Sequence, residues 1–420
     1  MALIDDAILQ QINFARYSDG LVSQIRALLL EADIDLGQKL AKAKEDTWTK
    51  KYLESKIKIT EELINKSTSD IEKFTREELS KFSKVASAAT LKTMKSSFGS
   101  DFIAPSAEQL IATVTSNPFE GAYLKEWFSS LNESKKMIVL RTLRLASAEG
   151  ETIDETVTKL IGTKKAGYKD GLLEMKRRDA EAIVRTATNH TNNQAAQLTY
   201  AANSDVISGW QFVATLDSRT TPQCAVLDKR VYPVGEGPIP PRHFRCRSFS
   251  LPMTKSFKSL GIDAEEVTGG TRASETGPVP ADLTYSKWLK SAPEEIQNKV
   301  LGIERANLFR AGDLALDKFV SDGRVLTLEQ LAEEYPWADI DVREGSIPSS
   351  DGMFRQISSA EEKKALDIEK RLSLYRSSLK RHLIDDTPLP SRLSTLLDDI
   401  SPAEREKILS EVEKAKLKIK

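Results

Sequence analysis

The sequence predicts a mainly α-helical protein with a small, loop-rich β module in its middle, which is an α+β organisation. Residues 1 to about 95 contain no proline and repeat apolar residues every three or four positions, as amphipathic helices do. Residues 209–253 instead combine short alternating apolar runs with a dense clustering of proline, glycine and arginine. Helical patterns resume after Pro252, so the prediction is long N-terminal helices, a compact middle and a helical C-terminal extension.

The composition is that of a soluble globular protein large enough for two or three domains. The chain has 420 residues, of which 40% are apolar and 29% charged. Its 61 basic and 62 acidic residues leave no general attraction to nucleic acid or to a membrane surface. The sequence has no run of about 18 apolar residues and begins with an acidic rather than a basic segment, so we expect no membrane span and no signal peptide.

The first region predicts long helices whose apolar faces pack together. The spacing begins with Ile4, Ile8 and Ile12, and residues 52–82 continue it with lysine and glutamate between the apolar positions. An ordinary helical bundle explains this pattern. A long arm that grips a partner is the alternative.

Four further helices are predicted before the middle module. Ser106 and Gln109 have the spacing of a capping box at the start of the first, and the others span residues 126–148, 152–161 and 172–203. The second half of residues 172–203 is rich in threonine and asparagine. This composition favours a buried polar seam or tight packing over a solvated face.

From Gly209 the pattern predicts a small sheet with long loops. Trp210 and Phe212 are predicted core residues of this sheet. Residues 268–280 are predicted to be a linker because glycine, threonine, proline and serine dominate them. Residues 285–316 are predicted to be helical again.

The C-terminal region is predicted to contain a connector at residues 334–351 and charged helices at residues 360–383 and 402–420. The tail is basic, with Lys414, Lys416, Lys418 and Lys420 at alternate positions. A solvated helix end explains this tail, and contact with DNA or an acidic partner is the alternative.

These changes of pattern predict four regions. They are N-terminal amphipathic helices at residues 1–95, a core of helices plus a Cys/His loop module (209–253) at residues 96–253, a linker and helical extension at residues 254–335, and a charged helical region at residues 336–420.

A Cys-His-Cys set inside the loop module is the candidate metal site. Cys224, His243 and Cys246 are spaced C-x18-H-x2-C, and thiolate and imidazole are the ligands that zinc prefers. A tetrahedral site needs a fourth ligand, for which the candidates are Asp217, Asp228 and His190. Two cysteines and a histidine that pack without metal are the alternative. A structural zinc would stabilise this segment, which is rich in proline and glycine and therefore buries little apolar surface.

Other residues of the module have structural interpretations. Asp217 to Thr220 predict a turn in which Asp217 or Ser218 caps neighbouring amides while Arg219 pairs with a carboxylate. Proline residues stiffen the approach to His243. The module's arginines predict either structural ion pairs or phosphate contacts.

The segment WQFVATLDSRTTPQCAVLDKRVYPVGEGPIPPRHFRCRS, residues 210–248, resembles the core of the phage minor head protein family, the Mu F-like head morphogenesis domain. The resemblance implies a structural motif made of Arg185, Thr186, Trp210, Asp217, Arg219, Thr220, Pro241 and Arg247. Residues 288–331 resemble the extension of such proteins, with Leu301, Gly302, Arg305, Phe309 and Gly312 in place. Many relatives have cysteines where this chain has Thr221 and Ser248, so a four-cysteine site does not carry over.

The resemblance implies a low-copy structural protein inside the phage head, without enzymatic activity. It implies association with the portal protein and with the major capsid or scaffold protein, and contact with packaged DNA. Its role would be to assist procapsid assembly and genome delivery. The expected location is the virion, after assembly in the host cytoplasm.

Two alternatives belong to other functional classes. In a metal-dependent nuclease or peptidase, a metal on Cys224, His243 and Cys246 would activate water with Asp217 or His190 as base. The sequence has no H-x-E or H-E-x-x-H arrangement at the histidine, no phosphate-binding glycine loop and no G-x-S-x-G motif, which argues against an enzyme. A DNA-binding adaptor without catalysis would use the basic tail and the arginines near Cys246.

Overall fold

The structure is a computed structural model that describes residues 3–42, 49–99, 101–256, 258–260, 270–338 and 340. These residues belong to one compact unit, Met1–Ser350. The predicted boundaries near residues 95 and 253 fall within that unit, close to the ends of a long helix at Phe98 and of a strand at Thr254. The predicted helices at residues 360–383 and 402–420 and the basic tail lie outside the described residues.

The described residues form eleven α-helices and seven short strands, which confirms the predicted fold class. The helices are α1 Leu3–Ala41, α2 Lys50–Phe98, α3 Ala107–Ser116, α4 Leu124–Glu149, α5 Ile153–Ile161, α6 Glu174–Ala201, α7 Pro222–Ala225, α8 Tyr285–Ser291, α9 Glu294–Leu301, α10 Ile303–Ala311 and α11 Leu328–Glu334. The strands are β1 Ile207–Val213, β2 Val231–Tyr232, β3 Phe249–Thr254, β4 Thr271–Arg272, β5 Val279–Pro280, β6 Val320–Ser321 and β7 Arg324–Val325.

The first two helices pack along each other through the predicted apolar positions. Ile25 and Leu79 are fully buried, and the ring of Phe82 stacks on Tyr17 with a centroid separation of 4.5 Å. Beyond them, α3 begins with the predicted capping box of Ser106 and Gln109. The α1–α2 pair therefore forms a helical bundle with the helices that follow.

One charged cluster is buried among these helices. Asp33 of α1 forms ion pairs with Lys135 of α4 and with Arg177 of α6, each at 2.5 Å, and all three side chains are at most 3% exposed. A charge removed from water is tolerated when opposite charges surround it. This cluster fixes three helices in one register.

Helix α6 is the central helix of the fold. The predicted polar seam is confirmed, because threonine and asparagine side chains along the helix are buried. They are Thr186, Thr188, Thr191, Asn192, Asn193 and Thr199, and Gln197 and His190 are buried with them. One side of α6 packs on α1, α2, α3 and α4, while another meets β1 and β3.

The predicted small sheet has the strand order β2-β1-β3, and both pairings are antiparallel. Trp210 pairs with Tyr232 in register, and Phe212 pairs with Ser250. Trp210 and Phe212 are fully buried, as predicted.

The segment predicted as a linker is instead structured where it is described. Residues 271–280 contain the antiparallel pair β4-β5, and Arg272 is buried against Asp228 at 3.0 Å. Strands of two residues are too short to show an alternating pattern of apolar residues, so only the composition was informative, and it indicated a linker. One buried arginine anchors the hairpin.

The helical segment predicted at residues 285–316 is broken into three short helices. Pro293 stands before α9, where its missing amide hydrogen needs no partner. Gly302, with φ 77°, separates α9 from α10 in a backbone conformation that favours glycine. The breaks let Trp288, Leu301 and Phe309 face one apolar cluster with Trp210.

Candidate metal centre

Residues 215–248, which we call the knuckle, carry the three candidate ligands on two local structures. Cys224 lies on the single-turn helix α7, which begins with Pro222. His243 and Cys246 lie on a tight turn closed by the bond from the Cys246 amide to the His243 carbonyl, at 3.2 Å. At the third residue of that turn, Arg245 adopts φ 62°, a conformation that costs energy for a non-glycine residue.

The fold brings the three ligand atoms together. The sulfur atoms of Cys224 and Cys246 are 3.6 Å apart, and both cysteines are buried and free. Together with a ring nitrogen of His243, all three ligand atoms lie within 4.8 Å of one another. Among the described residues, no other group of histidine, cysteine or acidic side chains has metal-site geometry.

The histidine is oriented in the way that zinc sites require. His243 Nδ1 lies 2.8 Å from the carbonyl oxygen of Phe244. Because a carbonyl can only accept, Nδ1 carries the proton and Nε2 remains available as a ligand. A ligating histidine ordinarily donates its other N–H to such a backbone or carboxylate acceptor.

The electrostatics of the cluster favour one thiolate. Burial opposes ionisation of Cys246, but the hydrogen bond from the Cys224 thiol and the charge of His243 hold the pKa of Cys246 well below its usual value. The hydrogen bond with Cys246, together with burial, raises the pKa of Cys224. Although burial alone would lower it, the pKa of His243 is raised because Cys246 lies beside it. Cys246 is therefore the first thiol of the cluster to lose its proton. A bound cation would stabilise a second thiolate, at Cys224.

The three predicted fourth ligands lie in other interactions. Asp217 receives both terminal nitrogens of Arg247, at 2.5 and 2.6 Å. Asp228 is bound to Arg272. His190 packs on the ring of Phe119 with a centroid separation of 5.4 Å. None of the three belongs to the cluster of ligand atoms.

A hydroxyl lies beside the cluster instead. Ser248 is 2% exposed and hydrogen-bonds to Cys224, which lowers the pKa of that thiol against the larger effects of Cys246 and burial. Ser248 is one of the two positions where the resemblance implies cysteine in relatives. A neutral hydroxyl is a poorer zinc ligand than a thiolate.

Helix α6 holds the knuckle through its polar seam. Thr186 accepts from the Arg245 amide at 2.9 Å, and Asn189 donates to the Cys246 carbonyl at 2.8 Å. Farther along the helix, Asn193 accepts from the Ser250 amide at 2.9 Å, and Tyr200 donates to the Ser250 carbonyl at 3.0 Å. These contacts satisfy backbone groups of the loop at Arg245 and Cys246 and of Ser250 on β3.

Of these residues, the sequence pointed only to Thr186. The spacing of Asn189, Asn193 and Tyr200 by four and seven residues was the available signal, because it places them on one helical face. Arg185, the neighbour of Thr186 in the motif, pairs with Asp19 and Glu181 rather than with the knuckle.

The predicted turn at Asp217 is present, and the carboxylate of Asp217 pairs with two arginines. Asp217 Oδ1 accepts from the amides of Arg219 and Thr220, at 3.0 and 3.1 Å. Arg219 is 73% exposed and its Nε lies 3.7 Å from Asp217, so the close partner of that carboxylate is Arg247. Despite burial, Arg247 holds the pKa of Asp217 below its usual value. Pro241 is buried beside this turn-rich segment and follows a cis peptide bond.

A groove of about 760 Å³ lies between α1, α6 and the knuckle. His243 and Cys246 are among its lining residues, whereas Cys224 lies behind them and is fully buried. Part of the candidate ligand cluster thus lies in the groove wall.

Residues 138–250 match the family model described as Phage Mu protein F like protein. This Mu F-like segment begins inside α4, includes all of α6 and ends on β3, so it contains the three candidate ligands and the helix that holds them. The match confirms the resemblance drawn from the motif. It does not reach residues 288–331, whose resemblance stays a prediction.

No curated protein and no solved structure matches the chain. Within the part of the chain that the structure describes, no helix has the length and apolar character of a membrane span.

Proposed function

We propose that this protein is a minor structural component of a phage head that assists procapsid assembly and genome delivery. The match of residues 138–250 to the Mu F-like family carries this proposal and supports a phage head-related protein. We propose the portal protein, the major capsid or scaffold protein and packaged DNA as its partners. Its proposed location is the head interior of the virion, after assembly in the host cytoplasm.

In this proposal the knuckle is architecture and performs no turnover. Asp217, the residue that a hydrolase would use as base, is occupied by Arg247 and by the amides of its own turn. His190, the other candidate base, lies against Phe119 outside the ligand cluster. The polar groups of the knuckle are therefore used in holding its backbone.

We further propose that zinc binds Cys224, His243 and Cys246 and stabilises the knuckle. Three thiol and imidazole ligands and an oriented His243 fit this ion. Its binding energy would become local folding energy, which can reach several kcal/mol or more.

The role in the head is tested by purifying procapsids and virions from infected cells. We expect this chain in both, at low copy number, together with the portal and major capsid proteins. Its absence from both kinds of particle would overturn the assignment. A hydrolysis assay on DNA and peptide, with His243→Ala as the comparison, tests the competing hydrolase; turnover that this substitution abolishes would contradict an architectural knuckle.

The metal is tested by elemental analysis and limited proteolysis of the purified full chain. We expect one zinc per wild-type chain, and its loss in Cys224→Ser and Cys246→Ser with new cleavage within residues 209–253 and intact N-terminal helices. Gln223→Ala, next to Cys224, is the matched control and should keep the metal. Wild-type protein that folds without any metal, even when zinc is supplied, would refute the metal centre.

A further inference from the structure

The wall of the groove presents the ligand cluster beside apolar side chains. Helix α1 contributes Ile8 and Ile12, and the knuckle contributes His243 and Cys246. Ile12 is 46% exposed. A volume of about 760 Å³ is within the range of sites that bind drug-sized ligands or short peptide segments.

The described residues supply three ligands, and tetrahedral zinc takes four. The nearby carboxylates of Asp217 and Asp228 are already bound by Arg247 and Arg272. Ser248 offers only a hydroxyl, on the side of Cys224. Among the described residues the fourth position has no protein ligand, and the groove beside His243 and Cys246 is the route by which an outside ligand would reach it.

The charges near that position favour an incoming anion. Arg219 and Arg245 both line the groove and are exposed, and the carboxylate of Asp217, 3.7 Å from Arg219, has Arg247 as its closer partner. The arginine nearer α1, Arg185, is instead paired with Asp19 and Glu181. Positive charge is thus concentrated at the knuckle, while the opposite wall carries acidic groups.

This distribution fits a peptide with one carboxylate better than a nucleic acid. A polyanion would place phosphates near Asp19 and Glu181 and would leave Ile8 and Ile12 uncovered. A peptide covers these apolar side chains and places a single carboxylate, which both zinc and arginine bind.

We propose that a carboxylate side chain from a partner protein segment enters this groove and becomes the fourth ligand of the metal on Cys224, His243 and Cys246. The inference rests on the metal centre proposed above and makes docking of the partner metal-dependent. Arg219 steers the carboxylate, and Ile12 packs against the apolar residues that flank it.

The test uses full-length protein loaded with Co²⁺, whose spectrum reports both thiolate ligation and geometry. The probes are acetate, inorganic phosphate and a blocked Leu-Glu-Leu peptide. Acetate should change the cobalt d–d bands in a saturable way, and the peptide should bind about tenfold more tightly because its leucines are buried in the groove. Phosphate that binds more tightly than the peptide would overturn the proposal in favour of a nucleic-acid ligand.

Variants separate the parts of the proposal. Ser248→Cys supplies a fourth thiolate, so it should still load cobalt but lose the response to acetate. Ile12→Asp should weaken the peptide and leave acetate binding unchanged, and Arg219→Ala should weaken both about five- to tenfold. Arg144→Ala, an exposed arginine on α4, is the matched control and should behave as wild type.

The outcomes distinguish the two proposals. Without a thiolate-to-cobalt absorption band, the metal centre itself fails, and the docking proposal fails with it. With that band present but no response to acetate or peptide, the metal centre stands and the fourth position is not open to a partner.

Discussion

The helical part of the molecule and the knuckle are stabilised in different ways. Helices α1 to α5 pack through apolar side chains that repeat along each helix, with one buried ionic cluster at Asp33. The knuckle has few such repeats, and side chains of α6 and of the β4-β5 hairpin hold its backbone instead. A region that cannot bury a regular apolar face is thus held by individual polar contacts. Each of these contacts contributes a large part of the region's stability.

Helix α6 belongs to both regions. His190 faces the ring of Phe119 in the helical part, while the preceding residue, Asn189, donates to Cys246 in the knuckle. Substitutions in and around α6 can therefore weaken one region while the other stays folded.

The largest effect is expected from Asp33→Ala in the helical part. The substitution leaves Lys135 and Arg177 buried without their shared counter-charge, and removing one partner of a buried pair costs about 3 to 5 kcal/mol. Urea unfolding followed by circular dichroism should show this loss. Asp35→Ala breaks only an exposed pair with Lys39 and should cost about 0.5 kcal/mol at most. Equal losses in the two variants would show that the buried cluster does not hold the helices together.

A smaller and local effect is expected from Asp228→Asn in the knuckle. Asp228 accepts from Arg272 and from the amides of Ala214 and Tyr285, at 2.9 and 2.8 Å. Loss of the charge leaves Arg272 buried and unneutralised, which we expect to cost about 3 kcal/mol.

Hydrogen exchange decides whether the effect of Asp228→Asn is local. Amides in residues 209–256 and 270–285 should exchange faster, whereas those of α1 to α5 should not change. Asp205→Asn, at an exposed turn before β1, is the control and should leave the exchange pattern unaltered. Faster exchange throughout α1 to α5 would mean that the two regions unfold together.

The same difference explains how much of the structure the sequence predicted. The helices of residues 126–148, 152–161 and 172–203 and the core positions of Trp210 and Phe212 follow from local periodicity, and the structure confirms them. The β4-β5 hairpin was missed because its anchor, Arg272, acts through Asp228, 44 residues away.

The ligands of the candidate site could be predicted from the sequence, whereas the residues that hold those ligands in place could not. Cys224, His243 and Cys246 are rare residue types, so their spacing alone brought them together as candidates. Asn189 and Asn193 are common polar residues, and only the folded backbone of residues 245–250 shows what they bind. That Arg247 lies closer to Asp217 than Arg219 does likewise depends on how the two loops meet.

The smallest predicted effect concerns pH and the helical side of α6. Burial lowers the pKa of His190 from 6.5 to about 4, against a hydrogen bond with the Asn117 backbone that raises it. The unfolded chain therefore binds a proton at a higher pH than the folded one. Stability is complete above pH 6.5 and is lost as the pH falls toward 4, by about 2 kcal/mol between pH 7 and pH 5.

His190→Gln should remove this contribution, since glutamine does not titrate. The measurement is the difference in unfolding free energy between pH 7 and pH 5, which should shrink by about 2 kcal/mol relative to wild type. Gln38→Ala, an exposed glutamine on α1, should keep the wild-type difference. If the loss arises at Phe119 and Asn117, hydrogen exchange at pH 5 should increase first near α3 and α4 and leave the knuckle protected. Early exchange in the knuckle would instead mean that His190 supports both regions.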